Sequence, residues 1–440
     1  MSAGRSWKVG CVWLPILCGL LTWATLLGYY AIKFDLNEPP ATSGDEPDYD
    51  SLGWELAHGR GYRLNTGDPE FRHPYDLAKQ SSERFDLGPA RTGAITYRPP
   101  LFPFVIAGTD LLAGRQFWLI RVFNSGCLAL VCGLLVRILM TCQGILPALV
   151  SAGLFVLADF RTRLFGRAIL TESLTVLLVT LLIILLVRQR RAPDLLRTGI
   201  LGGLFGLAVL TRSMLILWMP GMLLLVGWAG VAADLPLRWK SALRHAGLFI
   251  TCTGLLLLPW MVRNCLVLNA LMPLGTQGAS QLSAAFSDAA WQAQGEWTNL
   301  EQTDFFDTVL EPSQTLLERE LAMARYSSRQ AKSWVLQHPG KSLALMVMKN
   351  LQELRPRSWP VAVIILSGLI GLILGRREPV SQICLALLAV NAVAIGITWS
   401  VDGRFLVPLL FAFHYGAGVL CAKLLACGTE LRQRTHRCPG

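Results

Sequence analysis

Charge is scarce in this 440-residue sequence: 16% of its residues are Asp, Glu, Lys or Arg, against 53% hydrophobic. A soluble domain carries roughly a quarter charged residues, so the shortfall excludes a single soluble globular unit, and the apolar content excludes intrinsic disorder. Histidine is rare too, with 6 residues, and no CxxC or Cys/His cluster has the spacing of a metal site. Paired loop cysteines are missing. Cys11, Cys18, Cys127, Cys132, Cys252, Cys384 and Cys421 lie in apolar runs, Cys142, Cys427 and Cys438 in short basic flanks, and Cys265 alone borders a long polar loop. A disulfide scaffold is therefore excluded. No internal repeat of the kind that builds transporters is present.

What is there is a series of apolar runs. A helix needs about 20 apolar residues to cross a bilayer, somewhat fewer when bundled. Strong runs occupy 9–32, 213–233, 246–262, 358–375, 379–401 and 405–422, and weaker ones 122–136, 144–158, 173–187 and 198–211. The expected fold is an all-α polytopic membrane protein of about ten transmembrane helices, forming a single domain over 1–440. The run 9–32 follows Arg5 and Lys8 like a signal peptide, but it is long and has no clear cleavage site. It reads as an uncleaved anchor.

With the N-terminus inside, the inner pieces are 1–8, 137–143, 188–197, 234–245, 376–378 and the tail 423–440. They hold 16 of the 40 basic and 4 of the 29 acidic residues, a net +12, and the other side carries 24 and 25, a net −1. Short basic loops face the cytoplasm, so the overall charge of +11 reflects topology and implies no nucleic-acid partner. Counting 99–114 as a span would put Arg188, Arg190, Arg191 and Arg197 outside, so it is read as a helix at the membrane interface.

Two extracytoplasmic loops, 33–115 and 263–357, make up about 40% of the chain, and chemistry is expected there. The first contains Asp45-Glu46-Pro47-Asp48-Tyr49-Asp50. Pro47 suits a helix start, acids favour its N-terminal end, and Gly59 and Gly61 suit its stop. Tyr49, Leu52 and Leu56 share one face, which can rest on the membrane. Asp48 and Asp50 read as dipole compensation, whereas for Asp45 and Glu46 capping and chemistry weigh equally. Arg98 precedes two prolines and is held extended. Glu172, Arg212, Arg263 and Arg404 flank spans on this same side. Each alone reads as an interfacial anchor. Together with the acids they describe a site for an anionic, lipid-borne substrate. His414, deep in the last span, reads as a core residue. In the second loop, Glu311-Pro312-Ser313 opens a helical pattern that His338-Pro339-Gly340 stops, and 343–354 carries an apolar face.

The run Asp45-Glu46-x-x-Tyr49 with Ala57-x-Gly59-x-Gly61-Tyr62 resembles the first-loop signature of the polyprenyl-phosphate-sugar-dependent membrane glycosyltransferases. These have the type C glycosyltransferase fold and include protein O-mannosyltransferases and lipid A aminoarabinose transferases. Arg98-Pro99-Pro100-Leu101-x-Pro103, Pro259-Trp260-x-x-Arg263-Asn264 with Leu274-Gly275-Thr276-Gln277-Gly278, and Arg404-Phe405-x-x-Pro408 are similar to later segments of the family, in its order. The resemblance implies inverting transfer from a lipid-phosphate sugar to an extracytoplasmic acceptor, with Asp45 as general base supported by Glu46. It matches Glu172 to an acidic position in the next outer loop. A sugar phosphate already carries a good leaving group, so the chemistry asks for a base and for cations on the departing phosphate. Arg98 and Arg404 are the candidates for those cations, with Arg263 behind them.

Some members hold a divalent metal and others need none. No histidine set backs the acids here, so no metal is expected to be required, though a divalent ion could be held. About 18 residues follow the last span, so the extra soluble C-terminal domain of some members is expected to be lacking. The stretch 68–91 has no counterpart in the family. Other readings are a lipid-linked glycan flippase or ligase without Asp45 chemistry, marked by a charged midplane cavity, and a non-catalytic scaffold, marked by an apolar first loop. The topology is checked by placing a cysteine beside Asp304. Impermeant thiol reagents are expected to label it in intact cells, and labelling only after permeabilisation overturns the ten-span scheme.

Overall fold

The computed structural model describes residues 12–231 and 238–435. The inner segment 1–8, Cys11, residues 234–237 and the tail end 436–440 with Cys438 lie outside the described residues. The chain opens on α1 (Trp13–Lys33), 21 residues with no acid in the first turn. The first loop then folds as α2 (Glu46–Ala57), β1 (Arg63–Asn65), α3 (Pro69–Lys79), β2 (Thr92–Ala94) and α4 (Leu101–Ala113). β1 and β2 pair antiparallel with Leu64 opposite Gly93, a short ribbon in a chain that is otherwise helical, as the all-α expectation has it. The polar stretch 68–91 is the excursion between those strands. Asp68 accepts from the N–H groups of Glu70 and Phe71 and starts α3.

α4, at 13 residues, is about 20 Å long and falls short of the roughly 30 Å hydrocarbon core. It packs along α2. The face of α2 expected to rest on the membrane is buried in protein instead. Tyr49 meets Phe102 edge-on, and Leu52 packs with Leu64 and Ile95.

The bundle continues with α5 (Phe117–Cys142), α6 (Ile145–Gly153), α7 (Phe160–Arg167), α8 (Glu172–Arg191), α9 (Leu195–Thr211), α10 (Met219–Ala229) and α11 (Arg238–Leu268). The second loop contributes three short helical turns, α12 (Gln277–Ser280), α13 (Leu282–Ala285) and α14 (Asp288–Gln292), then α15 (Leu316–Gln337) and α16 (Pro339–Leu354). α15 starts later than Glu311 because Thr315 and Glu318 form a reciprocal capping box. Glu320 ties the loops together, its carboxylate accepting from Thr96 N and Oγ1, both at 2.9 Å, and from Thr276 Oγ1 at 3.1 Å. The chain closes with α17 (Trp359–Leu374), α18 (Pro379–Ile397) and α19 (Leu410–Thr435).

Over its described residues each of the ten apolar runs is largely helical. Among the described residues 6 helices are long and apolar enough to cross a membrane, or 8 if each of two bent pairs counts as one. The pairs are 145–158 with α7, bent by 58°, and α16 with α17, bent by 115°. This is an integral multi-pass membrane protein. His414 is buried, its Nδ1 2.9 Å from Leu410 O and its Nε2 3.6 Å from Asp159 Oδ2.

α17 and α19 cross on glycines: a Cβ at Gly371 would lie 1.8 Å from Gly416 O. Such contact between small residues replaces the hydrophobic driving force that lipid removes. Gly371→Val is expected to cost about 1–3 kcal/mol and to lower the melting temperature of the detergent-purified protein; an unchanged melting curve would show that the pair is free to separate.

Candidate active site

Charged residues from five distant segments meet at one end of the bundle. Glu172 opens α8, where a helix N-terminus favours an acid. Arg212 follows α9, Arg404 follows the turn after α18, and Asp45 and Arg98 come from the first loop. Asp45 stands at the start of α2 but its side chain makes no capping bond, so capping does not explain it. One carboxylate oxygen pairs with Arg98 Nη1 at 2.9 Å and the other with Arg404 Nη1 at 2.9 Å. Arg404 also donates through Nε to Glu172 Oε1, which takes Arg212 Nη1 at 2.7 Å. Burial alone would raise the Asp45 carboxyl, but Arg98 and Arg404 outweigh it and hold it well below the usual carboxylate range.

Asp48 and Asp50 are more than dipole compensation. Asp48 accepts from Arg98 Nε and Nη2 at 3.0 and 2.9 Å and from Arg91 at 2.5 Å. Asp50 pairs with Arg115 and accepts from Tyr75 Oη at 2.7 Å. Arg98 is thus locked between two carboxylates. Arg263 stands apart from the cluster. Its guanidinium donates to Ile95 O at 2.6 Å, Asn264 Oδ1 at 3.0 Å and Tyr62 O at 3.0 Å, clamping the first loop to α11.

Arg404 is held by residues that the sequence pattern does not single out. The turn before it has two left-handed residues, Asp402 and Gly403. Glu353 of α16 accepts from the N–H groups on either side, Val401 at 2.5 Å and Phe405 at 3.0 Å. Lys349, one helical turn earlier, donates to Thr398 O at 2.6 Å. Both side chains are fully buried. In sequence they read as an exposed i,i+4 pair on a solvated face, which is why they escape notice.

Two cavities flank Asp45 and share Ser43, Gly44, Asp45 and Arg404 as a wall. The larger, about 580 Å³, has Arg98 and Arg212 at its polar end and Tyr97, Trp297, Trp399, Met214 and Ile216 beyond. The smaller, about 190 Å³, is lined by Glu46, Arg121 and Arg167. Glu46 therefore faces away from the Asp45–Arg98–Glu172 cluster, and burial raises its carboxyl to about 7 despite Arg121 and Arg167. The donor set at Asp45 does not fit a divalent ion: both Asp45 oxygens and Glu172 Oε1 are engaged by guanidiniums, and among the described residues no three His, Cys, Asp or Glu side chains gather as ligands.

No protein-family model and no curated protein sequence matches the chain. Among solved structures it is similar to the archaeal oligosaccharyltransferase AglB from Archaeoglobus fulgidus, in complex with an inhibitory peptide and a dolichol-phosphate. The identity is 12% and the TM-score 0.52, over 99% of this chain and 53% of that one. The chain thus spans about half the length of that enzyme. Two structures of ArnT from Cupriavidus metallidurans, one bound to undecaprenyl phosphate and one apo, give 14% identity at TM-scores of 0.40 and 0.37. They cover 93% and 92% of this chain and 78% and 77% of theirs, and the fold assignment rests on AglB alone. The fold is that of the type C glycosyltransferases.

A carboxyl held below its unfolded range contributes stability at neutral pH that fades as pH falls below that range, about 4. Arg404→Gln removes part of this. Its melting-temperature deficit against wild type is expected to be constant above about pH 5 and to shrink toward pH 3. A deficit independent of pH would mean that Arg404 acts by packing alone.

Proposed function

We propose that this chain is a glycosyltransferase that moves a sugar, with inversion, from a polyprenyl-phosphate carrier to an extracytoplasmic acceptor. One observation carries the reading: Asp45 lies in the wall between two cavities, with both oxygens on arginines that a donor phosphate would compete for. The dolichol-phosphate in the AglB complex supports a lipid phosphate as carrier. The charge split supports ten spans, cytoplasmic termini and an outward-facing site. The donor phosphate enters the larger cavity and takes up Arg404, Arg212 and Arg98. As those guanidiniums turn to phosphate, the Asp45 carboxylate regains basicity. It removes the acceptor proton while the acceptor oxygen attacks the anomeric carbon, and the sugar–phosphate bond breaks to release polyprenyl phosphate. Glu172 positions Arg404 and Arg212, Arg263 holds the first loop behind them, and Glu46 lies on the acceptor side. The guanidiniums supply the positive charge, so no divalent metal is required.

Membranes given a panel of radiolabelled polyprenyl-phosphate sugars are expected to label one product class. Asp45→Asn should lower transfer about 10²–10⁴-fold with polyprenyl-phosphate binding kept, whereas Asp48→Asn should weaken that binding by freeing Arg98. Normal transfer by the Asp45→Asn protein removes the base from this mechanism.

A further inference from the structure

The smaller cavity contains more positive charge than its carboxylates neutralise. Arg84 is paired with Glu38 and Arg404 with Asp45, leaving Arg121 and Arg167 opposite Glu46. Arg121 is 5% exposed, and its guanidinium donates only to the carbonyls of Leu36 and Arg167. Arg167 lies over the Phe34 ring, and its Nη1 is buried without a hydrogen-bond partner. Neither has a carboxylate within ion-pair distance. Two neighbouring guanidiniums repel, and a buried charge lacking a partner is destabilising by several kcal/mol relative to a paired one. Ionisable groups left in that condition at a membrane protein's cavity belong to a ligand site by default.

We propose that this cavity is the acceptor subsite and that the acceptor bears an anionic group, a phosphate or a carboxylate, beside its reacting hydroxyl, held by Arg121 and Arg167. The assignment rests on the reading of Asp45 as base. Asp45 lines this cavity as well as the larger one, so an acceptor hydroxyl here has the carboxylate beside it to take its proton, while inversion requires its oxygen to reach the anomeric carbon on the face opposite the departing phosphate. Paired guanidiniums bind planar or tetrahedral oxyanions through several donors at once. Glu46, raised by burial to about 7, offsets them only in part.

Binding to the purified full chain is measured by calorimetry for glucose, glucose 6-phosphate, glucuronate and inorganic phosphate, with undecaprenyl phosphate in parallel. A sugar anion is expected to bind about ten- to a hundred-fold more tightly than glucose, and the tighter of the two identifies the anion. Arg167→Gln should abolish that preference and leave undecaprenyl phosphate affinity unchanged. Arg121→Lys, which keeps the buried charge, should retain part of it. Equal binding of glucose and the sugar anions overturns the proposal. Inorganic phosphate binding as tightly as glucose 6-phosphate reduces the cavity to an ion site and overturns the acceptor assignment. Loss of undecaprenyl phosphate affinity in Arg167→Gln assigns the cavity to the donor and overturns it too. Absence of sugar transfer with the anion preference intact counts against the transferase reading and not against the anion site.

Discussion

The guanidinium of Arg404 sits between Asp45 and Glu172, and the arrangement of this end of the bundle depends on it. Charges gathered at the rim of an apolar helix bundle are stable only if each is neutralised, since an unpaired buried ion costs several kcal/mol. Here neutralisation is shared. Asp45 uses Arg98 and Arg404, Asp48 uses Arg98 and Arg91, and Glu172 uses Arg404 and Arg212. Arg98 and Arg404 each serve two carboxylates, so removing either weakens the pairing of both.

That network needs both long loops. The first supplies the acids, and its extended Arg98 segment is held at Arg263 by carbonyls from Tyr62 and Ile95. The second supplies no charge to the cluster itself but sets where Arg404 points, through Glu353 and Lys349. Trp297 N–H also bonds Ser400 O at 3.0 Å, adding a third tie to the same turn. The loops are therefore one structure, joined at Glu320.

Much was legible in the sequence because it depends on one-dimensional quantities. Apolar length separates the helices, alternation of the spans assigns Glu172, Arg212 and Arg404 to one end, and Pro47 and Gly59 bracket α2. The order of short motifs pointed to the fold. Asp45, Arg98 and Arg404 could be grouped because each flanks the same side of an apolar run.

Direction around an axis is what the linear pattern does not contain. Consecutive helical residues point about 100° apart, so Asp45 turns into the arginine cluster while Glu46 turns into a separate cavity, though in sequence they form one acidic pair. Arg263 and Arg404 look alike as span-end arginines, yet one meets carbonyls and the other carboxylates. Lys349 and Glu353 read as a solvated pair until the turn at 398–405 covers them. The sequence alone determined the class of molecule and the end of the bundle where its charges collect; which charge meets which was decided by tertiary packing, because only contact between distant segments supplies the counter-ion that burial demands.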